Sequence, residues 1–207
     1  MFDSLSSHLQ KNSLVYVTKD IERALAYDIL PQGYCIIANA SPFAKSFENN
    51  EQVLLISEEL PLSTMGLLSH PKTKAFIEQK KSSHILIFKP SSAAEAYCKS
   101  HGWSVLNPSA KLAGIVEQKL SQLEWLGDLT SLLPPHERAV LKDVQWNGTP
   151  FILQYNHAHT GKGTYHISSK KELEQLQTLF PLREVRTLAY IDGPVFTSNN
   201  VVHATGV

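Results

Sequence analysis

An excess of charge of one sign is the first thing this sequence lacks: nineteen Lys and Arg face nineteen Asp and Glu, for a formal net charge of zero. Without a broad positive field nothing holds a nucleic-acid backbone non-specifically, so no nucleic-acid partner is expected. Long hydrophobic runs are missing as well. No apolar stretch approaches the roughly 20 residues that cross a bilayer, and the opening MFDSLSSHLQKNS lacks the basic start and apolar core of a secretory signal. No membrane partner is expected. Cysteine is scarce: Cys35 sits in YCIIANA and Cys98 in AEAYCKS, with no C-x-x-C spacing. That excludes a disulfide framework and a cysteine metal or redox motif. Free thiols in apolar settings point to a reducing compartment, hence a cytoplasmic protein. Charged residues amount to 18 % against 43 % hydrophobic, which removes the chain from the disordered class. Its 207 residues suit one large domain or two small ones.

What is present begins as an alternation. The runs LVYV at 14–17, YCIIANA at 34–40, VLLIS at 53–57, HILIFK at 84–89 and then WSVLN read as strands. Between them, Thr18 can cap a helix running to about Leu30 with Ile21, Leu25 and Ile29 on one face, ended by Pro31 and Gly33. HPKTKAFIEQKK and SSAAEAYCKSHG read as further helices, the second stopped by Gly102. Strands that are continuously apolar belong to a parallel sheet covered on both faces. Residues 1–108 are therefore expected to form a Rossmann-like unit. Its first strand-to-helix turn, VTKDIERA, has no glycine fingerprint, so no NAD is expected.

Residues 109–145 read as a helical connection, with a helix over about 110–126 burying Leu112, Ile115, Val116, Leu120 and Leu123 and carrying Lys119 just off that stripe. Asn147-Gly148 is a hairpin turn signal. From Phe151 the pattern is strand, loop, strand, a helix over about 169–179, a strand around 186–191, and a turn at Asp192-Gly193-Pro194. The loop in FILQYNHAHTGKGTYHI places Gly161-Lys162-Gly163 between two strands. It is not the phosphate loop of a Walker nucleotidase, because the first glycine is missing and a strand follows. Two readings stand: backbone N–H groups and a lysine covering phosphates, or an ordinary hairpin tip. His157 and His159 could share a metal, but no third ligand is evident nearby.

The order of parts resembles the ATP-grasp superfamily: a Rossmann-like unit, a helix with Glu117-Gln118-Lys119, then PFILQYN, a glycine loop, a strand, a helix and LAYIDGPVF. The resemblance implies an α/β chain, a pre-ATP-grasp domain with a parallel sheet followed by a small α+β lid subdomain at 146–188, with 189–207 beginning the catalytic subdomain. It implies that Lys119 contacts ATP phosphate. It implies a phosphate-facing residue at Gln154, where the family has lysine; an amide donates hydrogen bonds but brings no charge. His157, His159, Thr160, Gly161, Lys162, Gly163 and Thr164 would form the lid over the phosphates. Ala189 and Ile191 would read adenine through their backbone, and Leu188 stands where the family usually has an acid.

The resemblance further implies Mg²⁺ with ATP, the metal ligands lying beyond residue 207, and neither metal ligands nor catalytic residues within this chain. The expectation is the N-terminal part of a longer ligase that activates a carboxylate as an acyl phosphate for attack by an amine or related nucleophile, with this chain alone inactive. Its partners would be a nucleotide and a carboxylate substrate. An alternative of another class is an inactive nucleotide-binding or scaffold module, suggested by Gln154 and Leu188. A third is a complete small α/β protein unrelated to ATP, which would cover its open sheet edge by forming a homodimer.

Overall fold

A computed structural model describes residues 9, 11–25, 30–80, 84–157, 163–194 and 196. The chain divides into two compact units, Met1–Gly114 and Ile115–Val207.

In the first unit, strands β1 (Leu14–Val17), β2 (Tyr34–Asn39), β3 (Val53–Ile56), β4 (His84–Ile87) and β5 (Ser104–Val105) form a parallel sheet in the order β3-β2-β1-β4-β5. Both faces are covered, which is why YCIIAN is apolar without alternation. Cys35 and Ile37 meet Leu67, Leu68, Ile77, Ala94 and Cys98 on one side. Ile36 and Ala38 meet Ile21, Ala24, Leu30 and Ala44 on the other.

Helices α1 (Thr64–Ser69), α2 (Pro71–Glu78) and α3 (Ser92–Ser100) start where local chemistry satisfies their first N–H groups. The Ser63 hydroxyl accepts from Gly66 N–H at 3.1 Å and that of Ser91 from Ala94 N–H at 3.2 Å. Pro71 opens α2, where its missing N–H costs nothing. After α3 the chain turns at Gly102, whose φ of 70° favours glycine.

Two asparagines finish strands of this sheet. The Asn107 side chain accepts from Ile87 N–H at 2.8 Å and donates to Ile87 O at 2.7 Å, imitating a strand partner. Asn39, 8 % exposed, does the same for Leu62 and also donates to Lys19 O. The helix expected from Thr18 is absent from the described residues. Thr18 N–H instead donates to Ile37 O, which keeps Thr18 extended at the end of β1. A short 3₁₀ turn, Ile21–Arg23, follows Asp20, and residues 26–29 lie outside the described set.

In the second unit β6 (His136–Val140), β7 (Phe151–Tyr155), β8 (Thr164–Ile167) and β9 (Glu184–Ala189) form an antiparallel sheet in the order β6-β9-β7-β8. Its core consists of Leu141, Val144, Leu153, Tyr155, Ile167, Leu173 and Val185. The helix between β8 and β9, Lys170–Leu179, contributes Leu173. Ser169 caps it, its Oγ accepting from Glu172 N–H, while the Glu172 carboxylate reaches back past the cap to accept from Ser168 N–H at 2.8 Å. These bonds, that of the Ser168 N–H first, hold the Glu172 carboxyl below its usual range. The unit is thus the α+β arrangement expected to follow the parallel domain.

Three further local expectations differ from the structure. Residues 136–140 form a strand inside the segment read as a connection. Asn147-Gly148 does make a turn, with Gly148 at φ 91° and Thr149 N–H bonded to Asn147 Oδ1, but β9 lies between β6 and β7, so no hairpin results. The long helix breaks into α4 (Ala110–Glu117) and α5 (Gln122–Trp125). Of its expected stripe only Leu120 is buried, at 3 %, while Leu112, Ile115 and Val116 are 51 %, 40 % and 44 % exposed. The break has its cause at the end of β7, where Asn156 captures the N–H groups of residues 119 and 120.

The core of the first unit makes a pH-dependent contribution. Burial pushes the Cys98 thiol up to about 11 from its ordinary value near 9. The neutral thiol is favoured in the folded state, so its contribution is complete below about pH 9 and is lost as pH rises toward 11. Urea midpoints at pH 8, 9, 10 and 11 should therefore fall less steeply for C98A than for the natural sequence; parallel curves would show that Cys98 contributes nothing to alkaline lability.

Candidate functional site

Register in the second sheet aligns side chains into rows, because residues directly opposite in antiparallel strands share a face. Arg138 on β6 lies opposite Arg186 on β9, Arg186 opposite Gln154 on β7, and Gln154 opposite Thr164 on β8. The next row on the same face is His136, Leu188, Ile152 and His166. The opposite face carries Leu153, Tyr155 and Val185 into the core. One side of the sheet therefore presents a polar, cationic row beside a row with an apolar middle.

Within the polar row the contacts are specific. Arg186 is 4 % exposed. It donates to Gln154 Oε1 through Nε at 3.2 Å and Nη2 at 2.7 Å, and to Gln122 Oε1 through Nη1 at 3.3 Å. Burial lowers its pKa from the ordinary arginine range. Gln154 Nε2 points the other way, 3.4 Å from Thr164 Oγ1. Arg138 holds Glu184 at 2.8 Å and Glu124 at 3.2 Å, and is exposed. Among the described residues no carboxylate forms an ion pair with Arg186.

The far end of β7 brings in Lys119. Asn156 O accepts from Lys119 N–H at 3.2 Å, and Asn156 Oδ1 accepts from Leu120 N–H at 3.1 Å. These two bonds hold residues 118–121 in a turn, so the helix that periodicity predicted stops at Glu117. Lys119, half-buried, is thereby fixed beside the residue that leads into the glycine loop. At the loop's other end Gly163 O accepts from Tyr155 N–H at 2.8 Å, and Gly163 has φ 81°, a conformation that favours glycine.

Of the residues singled out from sequence, Lys119, Gln154, His157, Gly163 and Thr164 thus gather around the end of β7. His159, Thr160, Gly161 and Lys162 lie outside the described residues, as do Asn199 and Asn200. Ala189 lies opposite Phe151, three positions along β9 from Arg186, or about 10 Å. Its N–H already donates to Pro135 O at 2.8 Å. Ile191 is beyond β9 and 68 % exposed. Tyr190 stacks on His166 at 4.4 Å, a packing role.

A cavity of about 590 Å³ in this unit lies mainly against the reverse face, lined by Glu137, Ala139, Phe151, Thr187 and Ala189 among others. It reaches Leu188, Ala189 and Tyr190 but none of Gln154, Arg186 or Thr164. We place the candidate site on the Gln154 face because the cationic and hydrogen-bonding groups converge there. Among the described residues no group of three or more His, Cys, Asp or Glu could hold a metal ion, and no helix is long and apolar enough to cross a membrane.

Sequence reasoning missed Arg186, Gln122 and the structural part of Asn156. In EVRTLA the arginine reads as an ordinary solvent-facing strand position. Nothing in the linear order shows that Gln154 is its cross-strand neighbour.

Removing the Asn156 side chain should release the 118–121 turn. For N156A, loss of the Leu120 bond is expected to destabilise the chain by about 1–3 kcal/mol. Amide exchange should quicken at Leu120 while Leu153 stays protected, and unchanged exchange at Leu120 would show that Asn156 does not hold the turn.

No family model and no curated protein sequence matches the chain. Solved structures do. An N5-carboxyaminoimidazole synthetase from Staphylococcus aureus complexed with ADP matches at 14 % identity and a TM-score of 0.53, over 88 % of this chain and 48 % of that one. An N5-carboxyaminoimidazole synthase from Aspergillus clavatus, in complex with ADP and the aminoimidazole ribonucleotide, matches at 13 % identity and a TM-score of 0.52, over 87 % and 46 %. An N5-carboxyaminoimidazole ribonucleotide synthetase from Thermus thermophilus matches at 16 % identity and a TM-score of 0.51, over 86 % and 47 %. The chain spans about half the length of these proteins. At such identities the likeness concerns the fold alone: a parallel five-stranded domain followed by a smaller antiparallel sheet with a helix, the arrangement of the ATP-grasp fold.

Proposed function

We propose that this chain carries the phosphate-gripping part of an ATP-dependent ligase, one that activates a carboxylate for attack by an amine or related nucleophile. The observation that carries the reading is that Gln154 and Thr164 share a face of the second sheet beside the Ile152–Leu188 pair, with the backbone of Lys119 bonded at the end of β7, in a chain with the ATP-grasp fold. Apolar side chains next to Ala189 suit a nucleoside base, and donors a few positions along suit its phosphates. Two of the matched proteins were solved with ADP, which supports a nucleotide as the kind of ligand.

In this reading Lys119 contributes charge to the phosphates and Gln154 Nε2 orients an oxygen. The loop from His157 to Thr164, with His159, Thr160, Gly161 and Lys162, screens the site from water. The backbone at Ala189 and Ile191 faces the base, Ile191 supplying the donor because that of Ala189 is taken by Pro135. The described side chains do not fit Mg²⁺, which takes oxygen ligands, chiefly carboxylates. Residues outside this set would have to supply its ligands.

One observation favours a second reading: a neutral amide at 154 with Leu188 beside Ala189 suits a module that binds nucleotide without turning it over. ATP consumption separates the two, since a ligase shows acceptor-dependent ADP formation and a sensor or scaffold shows none. For the site itself, K119A in the full-length protein should raise the apparent Mg-ATP constant roughly tenfold or more, as expected when a charged hydrogen-bond partner is lost. Unchanged nucleotide affinity would remove Lys119 from the site.

A further inference from the structure

A guanidinium 4 % exposed whose described partners are all amide oxygens is an unbalanced arrangement. Buried charges ordinarily persist by pairing with an opposite charge. Glu184 on β9 and Glu124 on α5 are both engaged by Arg138. Arg138 is itself the cross-strand neighbour of Arg186, a like-charge pairing that disfavours a second cation. The fold nonetheless keeps a positive charge in the middle of this face.

The geometry also fixes how that charge is delivered. Two N–H groups of Arg186 converge on one atom of Gln154, which must therefore be its oxygen. The amide nitrogen is forced outward, toward Thr164 and the exposed side of the row. A hydrogen bond from a cation to the amide oxygen polarises the amide, so its N–H groups become stronger donors. Gln122 holds the guanidinium from the other side, and its own Nε2 is 3.4 Å from Val116 O, so the fork cannot swing away without breaking three contacts.

We propose that Arg186 supplies the positive charge of the phosphate-facing sheet and delivers it through Gln154. The cation that the resemblance leads one to expect at position 154 has been transposed across one strand pair to β9. Arg186 is a positioning residue: it sets and polarises the Gln154 amide, and Gln154 meets the phosphate oxygen. The inference rests on the nucleotide reading above, and it makes Gln154 a working replacement rather than a sign of lost binding. It also means that restoring lysine at 154 harms the site, since an ammonium would then face a buried guanidinium.

R186M, R186K, Q154K and the Q154K/R186M double substitution test this in the full-length protein, by thermal midpoint and by calorimetric affinity for Mg-ATP. R186M is expected to weaken Mg-ATP roughly tenfold or more. R186K, which keeps a charge but lacks the fork that orients the amide, should fold and still bind weakly. Q154K should lower the midpoint without tightening binding. The double variant, with one cation again, should recover the midpoint and bring affinity back to within about threefold of the natural protein, the coupling expected of residues in contact.

Natural affinity in R186M, or tighter binding by Q154K with Arg186 in place, overturns the inference. Should R186M fail to fold, a double variant that folds yet binds no better than Q154K overturns it as well. Absence of Mg-ATP binding by the unsubstituted protein would overturn the nucleotide reading, and this inference with it. Binding by the unsubstituted protein and equally by R186M would sink the inference alone.

Discussion

The contact on which the second unit's chemistry turns is the cross-strand pair of Arg186 and Gln154. A guanidinium buried between β6 and β7 must have its N–H groups satisfied, and neutral amides do that at short range. Satisfying it determines several other things at once. It orients Gln154 outward, draws Gln122 and hence α5 against the sheet, and leaves both nearby carboxylates to Arg138. One buried charge thus ties the sheet to the segment that carries Lys119.

Asn156 complements that tie from the end of β7. Its carbonyl and side-chain oxygens take the N–H groups of Lys119 and Leu120, which would otherwise continue a helix. Helical periodicity over 110–126 is real in the sequence, but a competing pair of hydrogen bonds from another strand wins locally. The result exposes Leu112, Ile115 and Val116 and buries Leu120. In the first unit Asn39 and Asn107 play a comparable part, fastening the ends of β2 and β4 with side-chain copies of backbone pairing.

Legibility followed the range of the interactions. β2 was readable because YCIIAN is buried on both sides, and α3 because Ser91 and Gly102 mark its ends within the chain itself. The strand at His136–Val140 was not readable: HERAV is mostly polar and half-exposed, and its pairing with β9 reaches across more than forty residues. The candidate site divided in the same way. Lys119, Gln154, Gly163 and Thr164 came from the order of motifs, whereas Arg186 looked like any charged residue on an exposed strand face.

By itself the sequence determined what local patterns and totals can determine: an α/β unit followed by a smaller α+β one, a parallel sheet covered on both faces, a hairpin around a glycine loop, and the helix stop at Gly102. These depend on neighbours a few residues apart. Register, the insertion of β9 between β6 and β7, the break at 118–121 and the setting of Gln154 by Arg186 were decided only in the tertiary structure. The physical reason is that hydrogen bonds between distant segments have no periodic trace along the chain; an arginine becomes buried only when the strands that bury it have come together.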